Sequence, residues 1–278
     1  MKSIGTVLVV CVALAFASSP VAAQWPAYPT KNVPRGADGK PDVNAAAPRT
    51  ADGKPDLSGV WNYAGVLGFR GGPPPPPPGT PVQATFWNIE AGFKEGLPFT
   101  PWGAEVRRER MANDSKDNPD AACLPLGPMQ LHTHSQPRKI IQTKDLIVIL
   151  YEANANVRQI FLDGRSAPGH DPQPWWYGYS RGGWEGDTLV VETTNFRDGV
   201  WLDVNGAPLS DQGKLTERFR RPSFGTLEID VTIDDPKAYT KPWTVRVNQR
   251  LLLDTQLIEF VCNENQRFDS VTGGALVR

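Results

Sequence analysis

Three groups of residues in this 278-residue chain have types and spacing that could carry chemistry. His132 and His134 are one residue apart. On a strand such a pair points to one side, so the two imidazoles could share a metal ion, with His170 and Asp171 as a further source of ligands. Surface or structural histidines are the default reading. Glu217 lies in Lys214-Leu-Thr-Glu-Arg-Phe-Arg220. If Leu215, Glu217 and Phe219 face a barrel interior, Glu217 is a buried carboxylate whose pKa desolvation raises, as suits a general acid or base. Asp187 is the second catalytic candidate. With the opposite facing, Arg218 would hold an anionic ligand. A Glu–Arg ion pair locking neighbouring strands is the structural alternative, and the one preferred. Asp234-Asp235-Pro236 reads as turn material, because adjacent strand residues point oppositely. No Gly-x-Ser-x-Gly elbow is present.

The aromatic residues form the third group. Trp175, Trp176, Tyr177 and Tyr179 crowd one segment, followed by Trp184 and Trp201. Such rings stack on apolar or aromatic ligands. Strand alternation sends Trp175, Tyr177 and Tyr179 to one side and Trp176 to the other. One set is expected in the core, and a set at a barrel mouth would bind a ligand, with Arg158 or Arg218 as a polar anchor.

Composition limits the partners. Residues 4–16 are apolar after Lys2, and Val21-Ala22-Ala23 suits signal peptidase, so residues 1–23 are expected to be an export signal. No stretch reaches the roughly 20 apolar residues of a membrane span. The net charge of −1 offers nothing to nucleic acid or anionic lipid. Without Cys11 of the leader, Cys123 and Cys262 remain, an even pair in an exported chain, and a disulfide is the natural reading. It would close a loop worth up to about 5 kcal/mol in the chain-entropy model. No cofactor is called for.

Residues 24–56 read as a loosely ordered arm in which Ala37-Asp-Gly-Lys-Pro-Asp42 recurs as Ala51-Asp-Gly-Lys-Pro-Asp56. That string is turn chemistry. Residues 57–265 read as one domain and 266–278 as a tail. Six consecutive prolines within residues 71–81 make a polyproline excursion. Thr100 and Pro101 start one peripheral helix running to about residue 112. About ten strands follow from Trp61 onward, including Trp175–Trp184 and Leu257–Cys262. Alternation in Thr226–Ile233, with Leu227, Ile229, Val231 and Ile233 on one face, is that of a half-buried strand. An all-β fold with minor α is expected, an antiparallel barrel of about eight to ten strands or a sandwich.

Several longer motifs carry a resemblance: Leu57-Ser-Gly-Val-Trp61, Cys123-Leu-Pro-Leu-Gly127, Trp184-Glu-Gly-Asp-Thr-Leu-Val-Val-Glu-Thr193, Thr216-Glu-Arg-Phe-Arg-Arg221 and Thr232-Ile-Asp-Asp-Pro-Lys-Ala-Tyr-Thr-Lys-Pro-Trp243. Over about residues 48–265 the chain resembles a large family of exported bacterial proteins, abundant in acidobacteria and some proteobacteria. The resemblance implies a lipocalin-like barrel and no established activity. Many relatives carry His residues where this chain has Leu209-Ser-Asp-Gln-Gly-Lys214. The expectation is a periplasmic or extracellular barrel that binds a small apolar or aromatic molecule in an aromatic-lined cavity. The alternative is a secreted hydratase, isomerase, cyclase or hydrolase using barrel carboxylates.

Overall fold

The computed structural model describes residues 28–66, 73–169 and 174–264. The expected export signal, the start of the proline excursion, His170 with Asp171, and the C-terminal tail lie outside the described residues. Alternation of apolar and polar side chains drives the fold. In β10 (Lys214–Ser223) Leu215, Glu217 and Phe219 are buried, while Thr216, Arg218 and Arg220 face out. In β11 (Thr226–Asp234) the four aliphatic residues picked out above are buried, as are Trp243, Val245 and Val247 of β12 (Trp243–Leu252). A sheet with one apolar face buries it by curling on itself, and closure removes both edges.

Closure is achieved by the two ends of the chain. β12 pairs with β11 on one side and with β1 (Gly59–Tyr63) on the other. From β1 the order runs through β3 (Arg138–Gln142), β4 (Leu146–Tyr151), β5 (Val157–Phe161), β6 (Tyr179–Glu185) and β7 (Thr188–Thr194) to β10, making a closed barrel of nine strands. Short β2 (Val82–Gln83) runs parallel to β12, and β8 (Val200–Trp201) with β9 (Pro208–Leu209) forms a separate ribbon.

Three features differ from the sequence reading. The barrel is mixed, because β5 and β6 run parallel. β6 opens at Tyr179, and Trp175 makes only an isolated bridge to Phe196. Leu257–Cys262 is not a strand. Closure leaves β12 no open edge for it to join. The Cys123–Cys262 disulfide ties this last segment down instead.

The helix α1 (Pro101–Ala112) matches its expected bounds. The Thr100 hydroxyl accepts from the Gly103 N–H at 3.1 Å, and Pro101 occupies the first turn. A second helix, α2 (Pro128–Thr133), is too short and too uniformly buried to show a helical period. Arg138 at the start of β3 and Gln249 of β12 hold its C-terminal end. Gly103 is where α1 meets the body. A Cβ there would lie 2.2 Å from the Ala238 carbonyl oxygen, whereas one at Gly183 would meet nothing within 4 Å. Gly103→Ala is therefore expected to destabilise by about 1–3 kcal/mol in denaturant titration, and Gly183→Ala to leave the midpoint nearly unchanged.

Candidate functional site

The interior of the barrel carries a buried ionic cluster. Strand alternation aims Glu217 of β10, Thr193 of β7, Ser180 of β6 and Arg158 of β5 inward, and α2 drops His132 among them. All five are buried. Arg158 grips both carboxylate oxygens of Glu217, with Nη1 at 2.9 Å from Oε1 and Nη2 on Oε2. Its remaining donors go to Ser180 Oγ at 3.1 Å and Thr193 Oγ1 at 2.9 Å. His132 Nε2 lies 2.6 Å from Glu217 Oε1.

Electrostatics fixes the charge states. Burial pushes the Glu217 carboxyl up, but the Arg158 charge and hydrogen bonds, with His132 adding to them, outweigh it and hold the group well below the usual carboxylate range. The upward shift expected of a lone buried carboxylate is thus reversed, and Glu217 makes the Glu–Arg ion pair preferred from the sequence, though with Arg158 of β5 rather than with an arginine of a neighbouring strand. Burial lowers the His132 pKa against the opposing pull of Glu217. A neutral His132 donates from Nε2 to Glu217, which leaves Nδ1 as an acceptor without a partner. Arg138 secures the end of α2 by donating to the carbonyls of His132 and His134, both at 2.7 Å. Gln249 adds a third such bond, to His132 O at 2.8 Å. A carboxylate kept ionised, salt-bridged and sealed from solvent has neither a proton to give nor a route to a substrate.

Two residues beyond His132, the chain emerges at a groove of about 490 Å³. His134 caps α2 there, and its ring packs edge-to-face on Phe86 at 5.0 Å. Nδ1 accepts from the Gln136 N–H at 3.2 Å, and Nε2 faces Asp120 Oδ2 at 3.6 Å. Burial pushes Asp120 up, but His134 and Asn154 bring it below the usual range. Trp87, Val204 and Phe260 supply apolar wall, and Cys262 closes the rim. The groove also meets Asn118, which is buried. Its Oδ1 accepts from the Asp120 N–H at 3.0 Å and from Gln130 Nε2 at 3.3 Å, and its Nδ2 has no partner. Two N–H groups on Oδ1 fix the amide orientation, so the free atom is the donor.

The structure scatters the other sequence candidates. Trp175 is exposed and tilts against Tyr179 at 5.7 Å, and Tyr179 stacks on Phe161 at 5.2 Å, all on the barrel flank. Tyr177 is half-buried with its hydroxyl on Asn156, and Trp184 is half-buried against the core. Trp201 is buried beneath the Arg110 guanidinium, 4.4 Å from its ring. Arg218 faces out to Glu185 at 2.9 Å. Asp187 sits on the exposed β6–β7 turn, bonded to Arg49. Asp235 turns inward to accept from Ser210, while Asp234 faces out to Lys214. So Glu217, Arg158 and His132 are brought together, His134 is left beyond the end of α2, and none of the aromatic candidates reaches either place. Among the described residues no three His, Cys, Asp or Glu side chains form a metal-binding group, and no helix is long and apolar enough to cross a membrane.

Phe86, Trp87, Asn118, Asp120 and Phe260 were not singled out from the sequence. Adjacent Phe86 and Trp87 were a usable signal. Asn118-Pro119-Asp120 is also a recognisable cap, in which Asn118 opens a short 3₁₀ turn. No family model, no curated protein and no solved structure matches the chain.

Two outcomes are expected. Glu217→Gln removes the carboxylate paired with buried Arg158 and turns an NH2 donor onto its guanidinium, and about 3–5 kcal/mol of unfolding free energy should be lost, read by chemical denaturation. Asp203 responds to pH. It accepts from the N–H groups of Ile89 (2.8 Å) and Ala207 (2.9 Å), next to the bonds that hold Phe86 and Trp87 to Val204 and Asn205. Burial pushes it up to about 6 from 3.8, although the backbone donors and Arg107 pull the other way. The folded chain therefore keeps this proton where the unfolded chain has lost it, so its contribution to stability falls as pH rises from about 4 to about 6. Between pH 7 and pH 5 the wild type should regain about 1 kcal/mol relative to Asp203→Asn, measured by denaturant titration at both pH values.

Proposed function

We propose that this chain is an exported binding protein, related to the bacterial family it resembles, which holds a small neutral aromatic or apolar molecule bearing a hydrogen-bond acceptor. The site is the groove beside α2 rather than the barrel interior. The observation that carries this reading is a groove of about 490 Å³ walled by Phe86, Trp87 and Phe260, with Asn118, Asp120 and His134 as the polar part of its lining. The Asn118 Nδ2 donor beneath this lining is buried without a protein partner, which costs about 1–3 kcal/mol, and a small turn of the amide toward a ligand carbonyl would recover it. The rings supply apolar area, and Asp120 disfavours an anionic ligand. The disulfide supports residence in an oxidising compartment. Binding is favoured over catalysis because His134 has both ring nitrogens engaged and Glu217 is sealed away.

The test is ligand-observed NMR with a panel of neutral aryl ketones, amides and lactones, run on the full chain and on Phe260→Ala. Saturation transfer should appear for members of the panel with the wild type and weaken at least severalfold in the variant. Absence of transfer across the panel, or equal transfer in both proteins, would overturn the reading. The groove rim supplies a further expectation. Residues 255–261 run as irregular, mostly exposed chain, with Ile258 N–H on Glu152 at 3.1 Å and Lys139 on Gln256 at 3.0 Å before the disulfide. Cys262→Ser should expose this strap to limited proteolysis while the barrel core stays resistant.

A further inference from the structure

The duplicated string of the arm folds twice into the same object. In the first copy the Gly36 N–H donates to Lys40 O at 2.9 Å, the Gly39 N–H to Gly36 O at 2.9 Å and the Asp42 N–H to Pro34 O at 2.8 Å. In the second, the Thr50 N–H donates to Lys54 O, the Gly53 N–H to Thr50 O and the Asp56 N–H to Pro48 O, each at 2.9 Å. Gly39 and Gly53 hold φ of 75° and 80°, which the turn requires. Each hairpin pins its own arginine in one pose: Arg35 Nη1 donates to Gly39 O and Arg49 Nη1 to Gly53 O, both at 2.7 Å.

The second hairpin shows what this pose is for. Arg49 forks onto the Asp187 carboxylate at 2.9 and 2.5 Å, and Lys54 reaches the neighbouring Gly186 carbonyl at 3.5 Å. It clamps the β6–β7 turn, Glu185-Gly186-Asp187. The first hairpin carries the same two cations, Arg35 and Lys40, and among the described residues neither has a partner outside that hairpin. Its base is fixed on both sides. The Thr30 N–H donates to Asp254 Oδ1 and the Asp254 N–H to Thr30 Oγ1, both at 2.8 Å. On the other flank Val43 and Ala45 accept from Gly225 and Phe224 at 2.8 Å. The hairpin is held away from the barrel in a fixed place, so little ordering is left for binding to cost.

We propose that the first hairpin is a second clamp of the same specificity and docks a partner protein through an exposed acidic reverse turn. The partner's aspartate takes the Arg35 fork and the carbonyl of the preceding glycine takes Lys40. This surface is independent of the groove and of its proposed ligand. The contact is solvent-exposed and untethered, so a single turn should bind with a Kd of about a millimolar. The tether gives the second hairpin a high effective concentration that the first lacks.

The probe is a peptide with the sequence of residues 181–190, cyclised through added terminal cysteines, titrated into the full chain labelled for amide NMR. Shifts are expected at Gly39 and Lys40, without equal movement at Gly53, whose hairpin is already engaged. The peptide with asparagine in place of the aspartate should bind about fivefold more weakly. Arg35→Lys, which keeps the charge but loses the fork, should weaken binding by a similar factor, with the Gly36 and Asp42 amides unmoved as the sign that the hairpin is intact. No shift at Gly39 up to about 5 mM peptide, a shift at Gly53 instead, or equal binding by Arg35→Lys would each overturn the proposal.

Discussion

The bidentate pair between Arg158 and Glu217 sets the terms for the rest of the barrel. Two charges taken out of water cost more than their attraction returns unless every remaining donor and acceptor is met. Here the surroundings meet them. Ser180 and Thr193 take the spare guanidinium donors, and His132 takes a carboxylate lone pair. The five groups come from four strands and a helix, so the cluster forms only when those elements sit in register. An apolar interior would tolerate a slipped strand more easily, because one aliphatic residue can replace another. A slip of one residue in β10 would carry Glu217 out to solvent and leave Arg158 unpaired. The cluster thus buys specificity of register, and α2 is bound into the same constraint through its histidine.

The filled interior has a functional corollary. A nine-strand barrel could enclose a ligand, but Trp61, Phe219 and the ionic cluster are packed within this one and fully buried. Room for a partner molecule is left at the ends and on the arm. At the α2 end, the groove borrows its walls from segments that are not barrel strands: residues 86–89, the 118–120 turn and the chain near Cys262. The barrel acts as a frame, and the recognition surfaces lie on what is attached to it.

Much of the fold was legible because alternation is a local signal. The inward facing of Leu227, Ile229, Val231 and Ile233, the bounds of α1 and the pairing of Cys123 with Cys262 all follow from nearby residues or from simple counting. The parallel β5–β6 contact was not legible, because alternation within a strand carries no information about its direction relative to its neighbour. The site was harder still. Glu217 was picked out as buried, yet its partner Arg158 lies 59 residues away and was read as a ligand anchor. His132 and His134 invite reading as a strand pair beside the preferred reading as structural histidines, but a helix terminus separates them into core and groove. The aromatic cluster drew attention by density, whereas the groove joins the adjacent rings of Phe86 and Trp87 to Phe260, far away in sequence.

Closure of the barrel has a temporal side. β1 pairs with β12, and Cys123 bonds Cys262, so both the last seam and the covalent tie wait for the final residues of the described chain. β1 has one side open until β12 is in place. Every strand from β3 to β12 lies inside the loop that the disulfide completes. Whatever the order in which the other strands form, β1 keeps one open edge until β12 docks on it, and the same event brings Cys262 to the end of the loop that the disulfide closes.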